Sequence, residues 1–196
     1  MKKVLFVDCC IRREGSRSKA LAEHFLGEIK KTGEYEVETL CLMDENLSYF
    51  SEGFFLQREA LLEKGDFEHP RFRYAHQFAA ADKIVMAAPF WDLSFPALLK
   101  VYIENLCVDG ITFHTDEHGL HGLCKADHLV YLTARGGIYK DSPMEQGSRY
   151  LEQMAAFFGI EKYDCVAAEG LDIGAWPVEE LMDKAKEEAE AVAKAF

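Results

Sequence analysis

Lys3-Val4-Leu5-Phe6-Val7-Asp8, continuing into Cys9-Cys10-Ile11-Arg12-Arg13-Glu14-Gly15-Ser16-Arg17-Ser18, is the stretch on which the fold turns. Its first half is a short, nearly continuous apolar run, the pattern of a strand covered on both faces in a parallel sheet. The period then changes. Leu21, Phe25 and Ile29 recur every fourth residue, which predicts an amphipathic helix over residues 16–31 with Ser16 or Ser18 at its cap. Residues 35–40 alternate and predict a half-exposed strand at an edge. Two further buried strands are predicted at 83–88 and 128–133 and a fifth at 162–168. Helices are expected at 52–63, 71–81, 96–106 (with Pro96 as its first residue), 144–158 and 178–196.

Strands and helices thus alternate without a repeat or a linker, so one domain spans residues 1–196. Such alternation requires a parallel sheet with right-handed crossovers. Five strands predict a three-layer α/β sandwich of the flavodoxin-like type, in the order 2-1-3-4-5. Ligands of such sheets sit at the carboxyl ends of the strands, near the point where the order reverses. Three loops therefore matter most, at residues 8–18, 89–95 and 134–143. Residues 43–81 are longer than a standard crossover needs.

The bulk properties exclude several classes. A net charge of −12 repels phosphate backbones, so nucleic acid is not an expected partner. The apolar run at the N-terminus is too short for a signal peptide, and no stretch is long enough to span a membrane. The six cysteines form no C-x-x-C pair and read as free thiols in a reducing cytoplasm.

The first loop joins a buried strand to a helix start, where unpaired N–H groups make an anion site. Ser16 and Ser18 add hydroxyls there, and Arg12, Arg13 and Arg17 add positive charge. Neither G-x-x-x-x-G-K-[ST] nor G-x-G-x-x-G is present. The second loop, Pro89-Phe90-Trp91-Asp92-Leu93-Ser94-Phe95, has three aromatic residues at the mouth of the sheet, suited to flank a planar ligand. In the third, Ala134-Arg135-Gly136-Gly137, the glycines allow a close backbone approach or simply a turn.

Other chemistries fit poorly. His114, Glu117, His118 and His121 lie in a turn-rich segment that reads as a solvated hairpin, so no metal site is expected. No G-x-S-x-G elbow supports a serine hydrolase. A Cys10 nucleophile lacks the Cys-x5-Arg spacing of a phosphate loop, because the position in question is Ser16.

Taken together, the loops resemble the FMN-dependent NADH-azoreductase and NAD(P)H:quinone oxidoreductase group of the flavodoxin-like superfamily. The stretches that carry the resemblance are Ala87-Ala88-Pro89-Phe90-Trp91-Asp92-Leu93, Pro96-Ala97-Leu98-Leu99-Lys100, Gly110-Ile111-Thr112-Phe113, Gly119-Leu120 to Leu123, Ala134-Arg135-Gly136-Gly137 with Lys140-Asp141, and Phe157-Phe158-Gly159-Ile160.

The resemblance implies FMN as cofactor and NAD(P)H as co-substrate, with a quinone, azo compound or similar aromatic acceptor reduced by a ping-pong mechanism. It implies that no side chain acts as a covalent catalyst. Cys10, Ser16, Arg17 and Ser18 fall at the cofactor phosphate, Pro89, Phe90, Trp91, Asp92 and Leu93 beside the ring, and Ala134, Arg135, Gly136 and Gly137 at its other edge. Phe113, Tyr139 and Phe157 fall at the substrate pocket. Departures from the family pattern are Cys10 and Ala134 for serines, Asp92 for asparagine and Tyr139 for histidine. Cys10 replaces a strong donor by a weak one. The resemblance also implies a homodimer, in keeping with the apolar circumference of helix 96–106 and the Phe157-Phe158 end of helix 144–158. An electron carrier without its own NAD(P)H oxidation is the alternative.

Overall fold

A computed structural model describes residues 1–196. Strands β1 (Lys2–Asp8), β2 (Tyr35–Cys41), β3 (Lys83–Ala87), β6 (His128–Ala134) and β7 (Lys162–Ala168) form one parallel sheet in the order β2-β1-β3-β6-β7. That is the expected 2-1-3-4-5. Strands β4 (Phe113–Asp116) and β5 (Gly119–Gly122) are a separate antiparallel hairpin, at the segment read as a solvated turn. The helices are α1 (Arg17–Lys31), α2 (Glu52–Glu63), α3 (Arg73–Ala80), α4 (Ala97–Leu106), α5 (Gly147–Phe157) and α6 (Val178–Ala193).

Alternation along the strands divides the core in two. Val4, Phe6, Val85, Ala87, Val130 and Leu132 face α1 and α6, where they meet Leu21, Phe25, Ile29, Met182, Ala185 and Ala189. Leu5, Val7, Ile84, Met86, Leu129 and Tyr131 face the other way, toward Phe78, Leu99, Tyr102, Ile103, Leu151 and Phe158. Both faces being covered is why these strands read as continuous apolar runs rather than alternating ones. β2 alternates because it lies at the sheet edge, half exposed.

Helix ends differ from the sequence reading in instructive ways. Pro96 caps α4 instead of opening it, with an extended φ of −56° and ψ of 143°. The run at 71–81 opens with a short 3-10 turn, Pro70–Phe72, before α3 begins. α5 starts only at Gly147, because residues 141–146 turn to meet the site loops. α6 stops at Ala193, and Phe196 tucks under the sheet against Phe25, Tyr35 and His128.

Much of the apolar circumference of α4 is covered within the subunit. Leu99, Tyr102, Ile103 and Leu106 are buried, and Tyr102 meets Tyr74 of α3 edge-on at 5.9 Å. The long 43–81 region thus covers part of α4, while Leu98 and Val101 stay half-exposed. Phe158 likewise packs on Phe78. The hairpin is seated by glycine: a Cβ on Gly122 would lie 2.0 Å from the Gly159 nitrogen, so only glycine permits this backbone-to-backbone contact. The seating brings Phe113 of β4 against Phe157 at 4.8 Å between ring centroids.

Candidate functional site

The carboxyl ends of β1, β3, β6 and β7 open onto a cleft of about 180 Å³. Its first wall is the start of α1. Ser16 caps this helix, its Oγ accepting the Lys19 amide at 3.3 Å. The amides of Arg17 and Ser18, in the first turn, donate to no protein acceptor. The Ser18 hydroxyl accepts the Ala134 amide at 2.9 Å, which ties the first loop to the third and leaves its proton free to donate. Such a helix end favours an anion through its unpaired donors and its positive dipole end together.

The three arginines of the first loop have separate fates. Arg13 turns away and grips Asp44 with both Nη atoms, at 2.9 and 2.7 Å. Arg17 reaches across to Asp172 at 2.8 Å. Arg12 lines the cleft and has no acidic partner. Cys10 is fully buried, and its amide donates to Asp8 at 2.8 Å. Burial, then the charge of Asp8, pushes the Cys10 thiol well above its ordinary pKa, so it is neither a thiolate nucleophile nor a strong donor.

The second wall is a tight turn. Trp91 and Ser94 exchange backbone hydrogen bonds at 3.0 and 2.8 Å, and between them Asp92 and Leu93 have φ of 50° and 66°. Two successive left-handed residues give a type I′ turn, usually built with Asn or Gly. Asp92 suits its position, but Leu93 carries a branched side chain at φ 66°, a strain of the kind that collects at functional sites. The turn holds Trp91 at the cleft with 42% of its surface exposed. Phe95, in contrast, is buried in the core.

The third wall is the turn after β6. The Phe90 amide donates to the Ala134 carbonyl at 3.2 Å, so the second and third loops continue the sheet. Beyond Ala134 the chain pairs with the loop after β7: Arg135 donates to Ala168, Leu171 to Arg135 and Asp172 to Gly136, at 2.8, 3.2 and 2.9 Å. The amides of Gly136 and Gly137 take no protein acceptor. A Cβ on Gly136 would fall 2.5 Å from an Asp172 carboxylate oxygen, and one on Gly137 would fall 2.9 Å from the Tyr139 ring.

A family model described as the flavodoxin-like fold matches residues 2–193. The chain belongs to that family. Among relatives similar to it over their whole length are FMN-dependent NADH:quinone oxidoreductase 2 of Clostridium acetobutylicum, 39% identical over 201 residues, with each chain fully covered, and FMN-dependent NADH:quinone oxidoreductase of Clostridium perfringens, 38% identical over 198 residues, again with full coverage of both. Among solved structures, an azoreductase from Bacillus anthracis superposes with a TM-score of 0.88 at 32% identity, covering 100% of both chains.

In this flavodoxin-like chain, Ser16, Arg17, Ser18, Pro89, Phe90, Trp91, Ala134, Arg135 and Gly136 line one cleft, as the three loops led one to expect. Asp92, Leu93 and Gly137 adjoin it through the backbone of the same turns. Tyr139 leans over Phe90 at 4.5 Å between centroids. Phe113 and Phe157 pair with each other at the hairpin and do not line the cleft. Cys10 lies beneath the cleft, not in its wall. The side chain of Arg135 points inward: its guanidinium, 4% exposed, meets Glu169 at 2.9 Å and Glu145 at 3.1 Å.

The sequence reading missed the contribution of the loop after β7, namely Leu171 and Asp172 in the wall and Glu169 behind it. The rule of the reversal point drew attention to the first, third and fourth strands of the sheet. The ladder that continues from β6 into the loop beyond β7 depends on tertiary pairing, and no local pattern announces it.

Proposed function

We propose that this chain is a cytoplasmic FMN-dependent oxidoreductase, one flavin-binding domain over residues 1–196, that oxidises NAD(P)H and reduces quinones, azo compounds or similar aromatic acceptors. The observation that carries the reading is the set of unpaired donors around one cleft: the Arg17 and Ser18 amides and the Ser18 hydroxyl at one end, the Gly136 and Gly137 amides at the other. A monophosphate suits the first group and the polar edge of a flat heterocycle the second. The sequence carries no G-x-G-x-x-G dinucleotide fingerprint, which favours FMN over FAD. When bound there, FMN would supply the redox chemistry, taking a hydride from the nicotinamide and passing two electrons to the acceptor.

The protein's share is binding, orientation and exclusion of water. Ser16, Ser18 and Arg12 would hold the phosphate, with Arg17 available if it leaves Asp172. Pro89, Phe90 and Trp91 would lie along the ring, and the strained turn at Asp92 and Leu93 would present its backbone to the ring's reactive side. Tyr139 would set one end of the acceptor pocket. The free cysteines and the lack of any helix able to cross a membrane agree with a cytoplasmic enzyme.

The cleft of about 180 Å³ is smaller than the roughly 300 Å³ at which ligand pockets usually begin, so a ring seated here would keep an open outer face. A second copy of the chain supplying the missing wall is therefore part of the proposal. Support comes from α2, which has no buried residue and exposes Phe55 and Leu56, with Tyr49 just before it. A Phe55→Glu chain should sediment as a monomer and lose NADH oxidation; an unchanged dimer would place the contact elsewhere.

The test of the function is steady-state kinetics on the FMN-loaded protein with NADH and a soluble benzoquinone. Parallel double-reciprocal lines are expected, because one cleft serves both substrates in turn. Absence of NADH oxidation would leave an electron carrier as the reading.

A further inference from the structure

Glu169 is the first residue after β7 and has no place in the cleft wall, yet three donors of the site loop converge on it. Its Oε1 accepts Arg135 Nη1 at 2.9 Å and the Tyr139 amide at 2.9 Å, and its Oε2 accepts the Lys140 amide at 3.2 Å. These donors bracket Gly136 and Gly137. Arg135 carries the brace onward, since its Nη2 donates to Glu145 Oε1 at 3.1 Å, and the same oxygen accepts the Ser148 amide at the start of α5, at 2.9 Å. The turn is thereby pinned at both ends by two carboxylates sharing one guanidinium, all nearly sequestered from solvent.

The need for such a brace follows from the turn itself. It contains two glycines, each losing more conformational freedom on ordering than any other residue. Its free amides must nonetheless hold one direction if they are to meet a ligand without first being ordered by it. Arg135 is costly to bury, and here burial opposes its charge while the carboxylates of Glu169 and Glu145 offset that effect. A buried, doubly paired arginine whose partners all lie on segments leading to one turn is a fixture for that turn.

We propose that Glu169 is a positioning residue of the flavin site, acting through Arg135 and the amides of Tyr139 and Lys140 to fix the turn that offers Gly136 and Gly137 to the cofactor. The inference rests on the cofactor placement proposed above. Glu169 touches neither cofactor nor substrate. Its role is to lower the ordering cost of binding.

The experiment titrates FMN into the apoprotein, following flavin fluorescence, for the wild type, Glu169→Ala, Glu169→Gln and the double variant Ser16→Ala/Ser18→Ala. Glu169→Ala should weaken FMN binding by roughly tenfold or more, the loss expected when several donors lose a charged acceptor. Glu169→Gln keeps the oxygen that serves Arg135 and Tyr139 and should stay within about threefold of the wild type. Wild-type affinity in Glu169→Ala overturns the inference, and so does equal weakening in Ala and Gln, which would mean a general electrostatic role. If the serine variant is weakened and Glu169→Ala is not, only the inference fails. If neither is weakened, the cofactor placement itself falls.

Hydrogen exchange on the wild-type apoprotein gives an arm that needs no variant to fold. The Tyr139 and Lys140 amides should be protected without FMN, whereas Gly136 and Gly137 should exchange quickly and slow only when FMN is added. Equal, fast exchange of all four in the apoprotein overturns the inference.

Discussion

At the amino end of the sheet, Lys83 at the start of β3 reaches Asp127 at 2.6 Å and lies over the Phe196 ring at 5.0 Å from its centroid. Beside it His128 meets Asp164 at 2.8 Å, and Lys125 meets Asp82 at 2.6 Å. At the carboxyl end the inventory is similar, with arginines, carboxylates and aromatic rings, but the pairing is incomplete. Arg12 has no acid, four amides have no acceptor, and Trp91 stands exposed. One end of the sheet is closed by ion pairs among its own groups, with His128 Nδ1 buried and unpartnered inside it, and the other leaves donors turned outward toward a cleft. Unmet polar capacity near a cleft, rather than the presence of charged residues, separates a site from a floor.

The largest effect expected from breaking this contrast is on the floor. Phe196→Ala should lower the unfolding free energy by about 3 kcal/mol, measured by urea denaturation, because a ring packed on Phe25, Tyr35 and His128 leaves a cavity. FMN affinity of the folded fraction should not change. A large fall in FMN affinity would show that the two ends are coupled.

Next is the cleft. Ser16→Ala with Ser18→Ala should weaken FMN binding by about 1–3 kcal/mol, since donors to a charged acceptor are lost. Loss of the Ser16 cap should cost about 1 kcal/mol of stability, and loss of the Ser18 acceptor for the Ala134 amide about 1 kcal/mol more. A loss of stability with FMN affinity of the folded fraction unchanged would make these serines part of the frame alone.

A pH series sharpens the comparison further. Burial depresses the pKa of His128 below its ordinary value, more than Asp164 raises it, with Lys162 and Lys83 also lowering it. The unfolded chain then binds the proton more readily than the folded one. Stability from this group is complete above about pH 6.5 and declines as the pH falls from there toward the folded-state pKa. His128→Gln should flatten that acid slope in denaturation midpoints measured between about pH 7.5 and 5.5. An unchanged slope would assign it to other groups.

The smallest effect is expected at Asp92. Its carboxylate is exposed, so solvent screens it. Asp92→Asn should raise the flavin reduction potential slightly, as measured by equilibration with a reference dye. A fall in potential would mean that the turn changes shape when the side chain changes.

Much of this was legible in the sequence because it rests on short-range patterns. The apolar runs at Val4–Val7 and Ile84–Met86 and the fourfold spacing of Leu21, Phe25 and Ile29 require only burial on one face or both, and burial is what they received. The serines at the start of α1 and the glycines after β6 were readable for the same reason. The limits came where sequence neighbours part company. Arg12 and Arg13 adjoin, yet one lines the cleft and the other is held by Asp44, 31 residues away. The apolar girth of α4 suggested an outside partner, but the sheet and α3 take most of it, since a helix profile records how much is apolar and not what covers it. Glu169 is one acid among many until Arg135, 34 residues earlier, turns back to meet it.

The strained turn that holds Trp91 at the cleft also gives the protein an optical handle. Only two tryptophans are present, and the other, Trp176, lies in the exposed loop before α6. An indole beside a yellow chromophore loses its emission by energy transfer, so ultraviolet fluorescence alone would follow the filling of the cleft, without label or added substrate. With Trp176 replaced by Phe, the remaining signal would come from a single position, and the arrival and departure of the cofactor could be timed at the wall it touches.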